Sequence, residues 1–215
     1  MPQTEQRTAG VPTLKRLPLY LRLLREMKEA GNEYASGAVV ARELGLDPIV
    51  VRKDLAITGA VGRPRLGFKM DEIIAAIEEF LGWSNTTDAF LVGVGNLGTA
   101  LLGYQGFGQH GLRIVAAFDA DPMIIGKKVH GKTILDVKKL PALAKQMHVQ
   151  IGVLTVTASV AQRVVDAMIE GGIRGIWNFT PATLDVPRGI ILQREELASS
   201  LAVLSRRLLL ECSAD

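Results

Sequence analysis

The sequence predicts an α/β chain in two parts: an N-terminal winged-helix module of the helix-turn-helix kind, then a Rossmann-type domain on a parallel sheet, closed by a long C-terminal helix. Three observations predict it. Two short helical patterns meet at a tight Gly45-Leu46 turn, followed by a Gly- and Arg-rich, hairpin-like stretch over 59–70. The apolar run Ala89-Phe90-Leu91-Val92 passes straight into Gly93-x-Gly95-x-x-Gly98 and an apolar helical pattern. From there to Leu192, short apolar runs alternate with helical patterns, as parallel strands joined by right-handed crossovers do.

Taken in order, residues 1–11 mix Pro, Gln, Thr, Gly and charge without periodicity and read as a flexible arm. A winged-helix domain is expected over 12–84, a Rossmann domain over 85–193 and a dimerisation helix over 194–215. Thr13 is placed to cap a first helix over 14–30. Leu14, Leu17, Tyr20, Leu21, Leu24 and Met27 fall on one face, and Pro18 should bend the first turns or mark the true start. Ser36 is the expected N-cap of a helix over 37–44 that holds Val39, Val40 and Leu44 inward. Asp47-Pro48 opens a helix over 48–57, with Ile49, Val50 and Leu55 inward and Arg52 and Lys53 outward.

Six Lys or Arg (Arg42, Arg52, Lys53, Arg63, Arg65, Lys69) face three acids (Glu43, Asp47, Asp54) across 36–69. Most of these cations lie on the second helix of the pair and the loop after it, the two elements a winged helix presents to DNA. Arg52 and Lys53 suit guanine O6 and N7 in the major groove. Arg63 and Arg65 suit the minor groove or the phosphates. A solvated face on a protein-docking module is the alternative.

In the second half, Gly93 permits a tight turn, Gly95 lets backbone approach a pyrophosphate, and Gly98 lets the helix pack close to the strand. The helix start after this turn, with Val94, Asn96, Leu97 and Gly98, offers N–H groups and a positive dipole end to phosphates. A second apolar run over 112–118 ends in Asp119, which suits a ribose diol and repels a 2′-phosphate, favouring NAD over NADP. After it come a short turn-helix at 121–126, a helix over 135–146, a strand over 149–156, a helix over 159–171, and strands over 173–179 and 189–192. The tail over 195–212 carries more leucine than a lone terminal helix needs and is expected to pack on another subunit.

The formal net charge of +3 is mildly basic, so the placement of the charge matters more than its sum. A single cysteine, Cys212, excludes a disulfide framework and a cysteine-rich zinc site within one chain, and fits a reducing cytoplasm. No apolar run reaches the length of a membrane helix. His110, His130 and His148 lie in turns or a loop and form no catalytic or metal constellation. Two rival classes remain: a small NAD-dependent oxidoreductase, which needs a proton donor beside the nicotinamide, and a CoA-binding domain, which uses a related glycine turn.

Several motifs together give the chain a family resemblance: R-L-P-L-Y at 16–20, V-R-K-D-L at 51–55, G-V-G-N-L-G at 93–98, G-Y-Q-G-F at 103–107, F-D-A-D-P at 118–122 and I-W-N-F-T-P at 176–181. It resembles the Rex family of redox-sensing transcriptional repressors. The resemblance implies a homodimer with a swapped C-terminal helix, an NAD(H) site, a palindromic double-stranded operator and no catalytic activity. It implies DNA contacts by Arg52 and Lys53 in the major groove and by Lys15, Arg16 and Ser36 along the backbone. It implies cofactor contacts at Val156, Thr157, Asn178 and Pro181, and a switch in which Tyr104 meets Glu196 of the tail helix. The chain departs from the family in its wing, Arg63-Pro64-Arg65, which leaves open which arginine enters the minor groove.

Overall fold

The computed structural model describes residues 8–211, so the first seven residues of the expected arm, and Cys212, lie outside the described residues. The chain divides into two compact units, Met1–Asn85 and Thr86–Asp215.

The first unit is built on α1 (Val11–Glu29), β1 (Tyr34–Ala35), α2 (Gly37–Leu44), α3 (Pro48–Ile57), β2 (Phe68–Lys69) and α4 (Met70–Phe80). Helix α1 starts at Val11, inside the expected arm, with Gly10 as its cap and a proline in its first turn. Thr13 is therefore not the cap; its hydroxyl reaches Asp54 instead. The helix runs through Pro18, because Leu17, Tyr20, Leu21 and Leu24 anchor the turns on both sides of it in the core. Gly31, at φ +87°, ends the helix as the N–H of Asn32 folds back to Met27 O. Ion pairs Arg25–Glu78 and Lys28–Asp71, each 2.6 Å, join α1 to α4.

Ser36 caps α2 through Val39 N–H, and Asp47 caps α3 through Ile49 N–H. The inward face of α3 is Val51, Asp54 and Leu55. Ile49 is 60 % exposed, against expectation, because Val51 and Leu55 already fill the core beside Leu17, Val40 and Ile73. Between α3 and α4 the chain makes a hairpin. Arg63 bridges to Gly67, Arg65 turns at φ +66°, and β2 pairs antiparallel with β1. That is a wing, and its short partner strand β1 has too few residues to show a period.

The second unit comprises β3 (Thr87–Val92), α5 (Asn96–Gly103), α6 (Gly106–Gln109), β4 (Leu112–Asp119), β5 (Lys128–Val129), β6 (Lys132–Asp136), α7 (Leu140–Met147), β7 (Ile151–Leu154), α8 (Ala158–Glu170), β8 (Gly175–Asn178), β9 (Ile191–Arg194) and α9 (Leu197–Glu211). Its seven-stranded sheet runs β5-β6-β4-β3-β7-β8-β9. All neighbours are parallel except the edge pair β5 and β6. Without that edge strand, the order is the doubly wound one whose direction of winding reverses between β3 and β7.

Period-two alternation sends Phe90 and Val92 into one core with Phe118, Leu154 and Val165, and Leu91 into another with Ala117, Ile134 and Val153. The helix expected over 135–146 begins only at Leu140. Leu135 belongs to β6, where it pairs with Phe118, and Pro141 sits in the first turn of α7, where a proline is harmless. Residues 122–126 form turns rather than a helix. No described helix is long and apolar enough to cross a membrane.

Candidate cofactor cleft and nucleic-acid interface

At the winding reversal the carboxyl ends of β3 and β7 part, and a cleft of about 510 Å³ opens there. Gly93, at φ +99°, turns the chain out of β3, and a Cβ on it would stand 2.8 Å from the backbone of Thr155. The Thr155 hydroxyl clamps the turn by donating towards Gly93 O at 2.7 Å and Val92 O at 3.0 Å. A Cβ on Gly98 would overlap Gly93 O, so only glycine lets α5 lie this close to the strand end. Gly95 is the opposite case: a Cβ there would meet nothing within 4 Å. Its empty side faces the cleft, and no side chain caps α5. The first N–H groups of α5 are therefore free to hold an anionic oxygen.

Asp119 closes the second strand beside this loop. Its Oδ2 accepts from Val94 N–H at 2.6 Å, and its Oδ1 accepts from Ala120 and Asp121 N–H at 2.7 and 2.9 Å. A carboxylate has about four lone-pair sites, so one remains to receive a hydroxyl. The cleft wall gathers Gly93, Gly95, Asp119, Val156 and Thr157 from the expected site, with Asn96 and Leu97 exposed in the first turn of α5. It also holds Val137, Val160, Val164 and Arg163, which sequence reasoning missed. Arg163 looks like any solvated helix cation until α8 is placed over the cleft; among the described residues it has no hydrogen bond or ion pair. These residues fit a dinucleotide: phosphate donors, a hydroxyl acceptor, then an apolar slot with a planar cation at its edge.

Asn178 and Pro181 lie at the end of β8, away from that cleft. Asn178 is fully buried. Its Oδ1 accepts from Thr180 N–H at 2.8 Å, while Nδ2 is the one buried side-chain nitrogen or oxygen among the described residues without a partner. Pro181 lines a second cavity of about 340 Å³ with Phe179, Arg194, Glu195 and Glu196. Tyr104 is 57 % exposed, edge-on to Phe107, which meets Trp177, which in turn meets Phe179. Within one chain no hydrogen bond joins Tyr104 to Glu196; the Glu196 carboxylate takes the Ser199 hydroxyl at 3.3 Å.

In the first unit, Lys15, Arg52, Lys53, Arg63 and Arg65 are all exposed. Arg63 also reaches the Tyr34 hydroxyl at 3.1 Å and Glu72 at 3.5 Å. Ser36 accepts from Val39 N–H, which leaves its own proton free to donate. Arg16 is placed differently. Its Nε and Nη2 lie 2.7 and 3.0 Å from the Asp54 carboxylate, so only Nη1 is left for a phosphate. Asp54 is 4 % exposed and also receives the Tyr20 hydroxyl at 2.7 Å and the Thr13 hydroxyl at 2.9 Å. The pair holds the Arg16 guanidinium charged well beyond the ordinary range, through its hydrogen bond to Asp54 and against burial. This network fixes α3, and with it Arg52 and Lys53, against α1. A pair separated by 38 positions leaves no trace in local periodicity.

Two family models match the chain: "CoA binding domain" over residues 84–182 and "Putative DNA-binding protein N-terminus" over residues 11–56. A curated protein of Treponema denticola, "Redox-sensing transcriptional repressor Rex", is 46 % identical over 93 % of this chain and 95 % of its own length. Its namesake in Bacteroides fragilis is 42 % identical over 92 % and 90 %. Among solved structures, "Crystal structure of RSP in complex with beta-NAD+ and operator DNA" superposes with a TM-score of 0.88 at 29 % identity, over 95 % of this chain and 94 % of that one. The same protein "in complex with beta-NADH" gives 0.86 at 28 %, over 94 % and 95 %.

Proposed function

The chain belongs to the Rex family of redox-sensing transcriptional repressors, and from that premise we propose that it is a homodimeric repressor held on a palindromic operator when NADH is scarce and released when NADH binds. It binds NAD(H) as an effector, and it is a regulator rather than an enzyme. The observation that carries the reading is that one chain joins an open phosphate turn beside Asp119 to a helix presenting Arg52 and Lys53 outward.

Gly93, Gly95 and the first N–H groups of α5, with Asn96, Leu97 and Gly98, would hold the pyrophosphate. Asp119 would take a ribose hydroxyl. Val156 and Thr157 would flank the adenosine half, and Pro181 and Asn178 the nicotinamide half. Arg163 would stack on the adenine. Arg52 and Lys53 would read the major groove, Arg63 or Arg65 the minor groove, and Lys15, Ser36 and the spare Nη1 of Arg16 the phosphates. Release requires NADH to favour the DNA-incompetent dimer. Taking a population from 1:99 to 99:1 needs about 5.5 kcal/mol of differential binding. The reduced ring is neutral and the oxidised ring cationic, so an apolar pocket favours the reduced form.

The match to a CoA-binding model favours one second reading, CoA as the ligand. CoA carries a phosphate on its adenosine ribose, which the Asp119 carboxylate would repel. The test is fluorescence anisotropy of a labelled operator at fixed salt, titrated separately with NADH, NAD⁺ and CoA; salt is fixed because phosphate contacts make affinity strongly salt-dependent. NADH is expected to release DNA at concentrations where the other two do little. Release by CoA alone, or DNA binding indifferent to all three, would overturn the reading.

Two further outcomes are expected. Arg52→Ala with Lys53→Ala should weaken operator binding on the order of a hundredfold or more, at about 1–3 kcal/mol for each base contact, while NADH affinity stays at the wild-type value. Arg163→Ala should weaken both NADH and NAD⁺ several-fold, as expected for a cation–π contact of about 0.5–2 kcal/mol. An isothermal titration showing unchanged affinity would remove Arg163 from the site.

A further inference from the structure

The exposed face of α3 is a single stripe. Ile49, Arg52, Lys53 and Ala56 stand at i, i+3, i+4 and i+7, and all four are exposed, while Val51, Asp54 and Leu55 are buried on the opposite side. The stripe begins with an aliphatic side chain 60 % exposed, turned outward because Val51 and Leu55 already fill the core behind it. A lone aliphatic on a surface is ordinary. This one lies in the first turn of the helix, one turn ahead of two cations.

Its position is also fixed. Pro48 presets the first turn, and the Ile49 N–H is held by Asp47 Oδ1 at 2.6 Å. The side chain is β-branched and so nearly restricted to one rotamer in a helix. The flanking charge selects a polyanionic partner, and in a helix-turn-helix the N-terminal residues of this helix reach the base edges. The only apolar group a base pair offers in the major groove is the C5-methyl of thymine.

We propose that Ile49 reads a thymine methyl group in the major groove, beside the bases contacted by Arg52 and Lys53, and so sets part of the operator sequence. The assignment rests on the DNA-binding reading above and adds a base preference to it. Position 49 is then a specificity-determining position: a shorter residue there accepts any base, while the stiff sec-butyl side chain of isoleucine favours thymine.

The test uses the full-length protein and a palindromic duplex recovered with it by in vitro selection from a randomised pool. Each thymine is replaced in turn, in both half-sites, by deoxyuridine, which removes only the methyl. At one thymine the wild type is expected to lose about fourfold in affinity per half-site, the worth of one buried methyl group. Ile49→Ala should bind the parent duplex several-fold more weakly and be indifferent to uridine at that same position, while answering the other replacements as the wild type does. Melting of the variant should match the wild type, since the side chain is exposed. Identical uridine profiles for wild type and Ile49→Ala, or undiminished affinity of the variant, would overturn the assignment and leave the repressor reading standing. A protein that enriches no sequence would overturn the repressor reading itself.

Discussion

Asp54→Ala is expected to destabilise the N-terminal unit by about 3–5 kcal/mol, the cost of removing one partner from a buried ion pair. The carboxylate is almost wholly buried and accepts from Thr13, Arg16 and Tyr20, so its loss strands a guanidinium and two hydroxyls at once. Urea unfolding gives the measurement. A loss under about 1 kcal/mol would mean that water replaces the network. Exchanging both ends, Arg16→Met with Asp54→Leu, should cost less than Asp54→Ala alone, because no charge is then left behind.

The same network sets a pH window. Burial alone pushes the Asp54 carboxyl up, but the hydrogen bonds from Arg16, Tyr20 and Thr13 outweigh it and hold the group below the usual carboxylate range. A depressed carboxyl contributes stability above its unfolded value of about 3.9 and loses it as the pH falls through the folded value. Tyr20 moves the other way, pushed up to about 12 by burial and then by its hydrogen bond to Asp54. Its contribution is full below about 10 and is lost as the pH rises towards the folded value. Asp54→Asn should flatten the acid limb of the stability curve, and Tyr20→Phe the alkaline one.

Gly98→Ala is expected to weaken NADH by about ten- to a hundredfold and to lower the melting temperature as well. The added methyl would overlap Gly93 O and stand 2.9 Å from the Thr155 hydroxyl, so α5 must leave the strand end. Overpacking of this kind costs about 1–3 kcal/mol, and the part that moves is the phosphate turn. Gly95→Ala is the control. Its methyl meets no protein atom, so melting should hold while NADH affinity falls. Both variants should remain on the operator at NADH concentrations that release the wild type. If Gly95→Ala binds NADH as well as the wild type, the pyrophosphate does not lie against that residue.

Much of this was legible in the sequence where a period or a turn residue reports directly on geometry. The strand into Gly93, the Asp119 strand end and the two capped helices of the first unit are local statements. What was not legible was set by distance or by competition. Ile49 looks like core because it begins an apolar-looking helix, and only the packing of Val51 and Leu55 turns it outward. Leu135 continues a helical pattern, yet pairing with Phe118 draws it into the sheet. Arg16 carries the same charge as its exposed neighbour Lys15, and a buried acid on another helix decides its role.

In the proposed dimer the tail helix would link two equilibria. Leu201, Leu204, Leu208 and Leu209 on α9 are each about 60 % exposed in the single chain, while Ala198 in its first turn, with Glu195 and Glu196 just ahead of it, lines the second cavity. A second subunit that covered the leucines would also hold the cavity wall. Pairing of subunits through α9 would then be thermodynamically coupled to occupancy of that cavity, and the coupling would be reciprocal. Dilution of the protein should loosen its grip on ligand, and saturating ligand should shift the dimer dissociation constant by the same factor. The repressor's response would then depend on its own abundance in the cell, through mass action, as well as on the redox ratio.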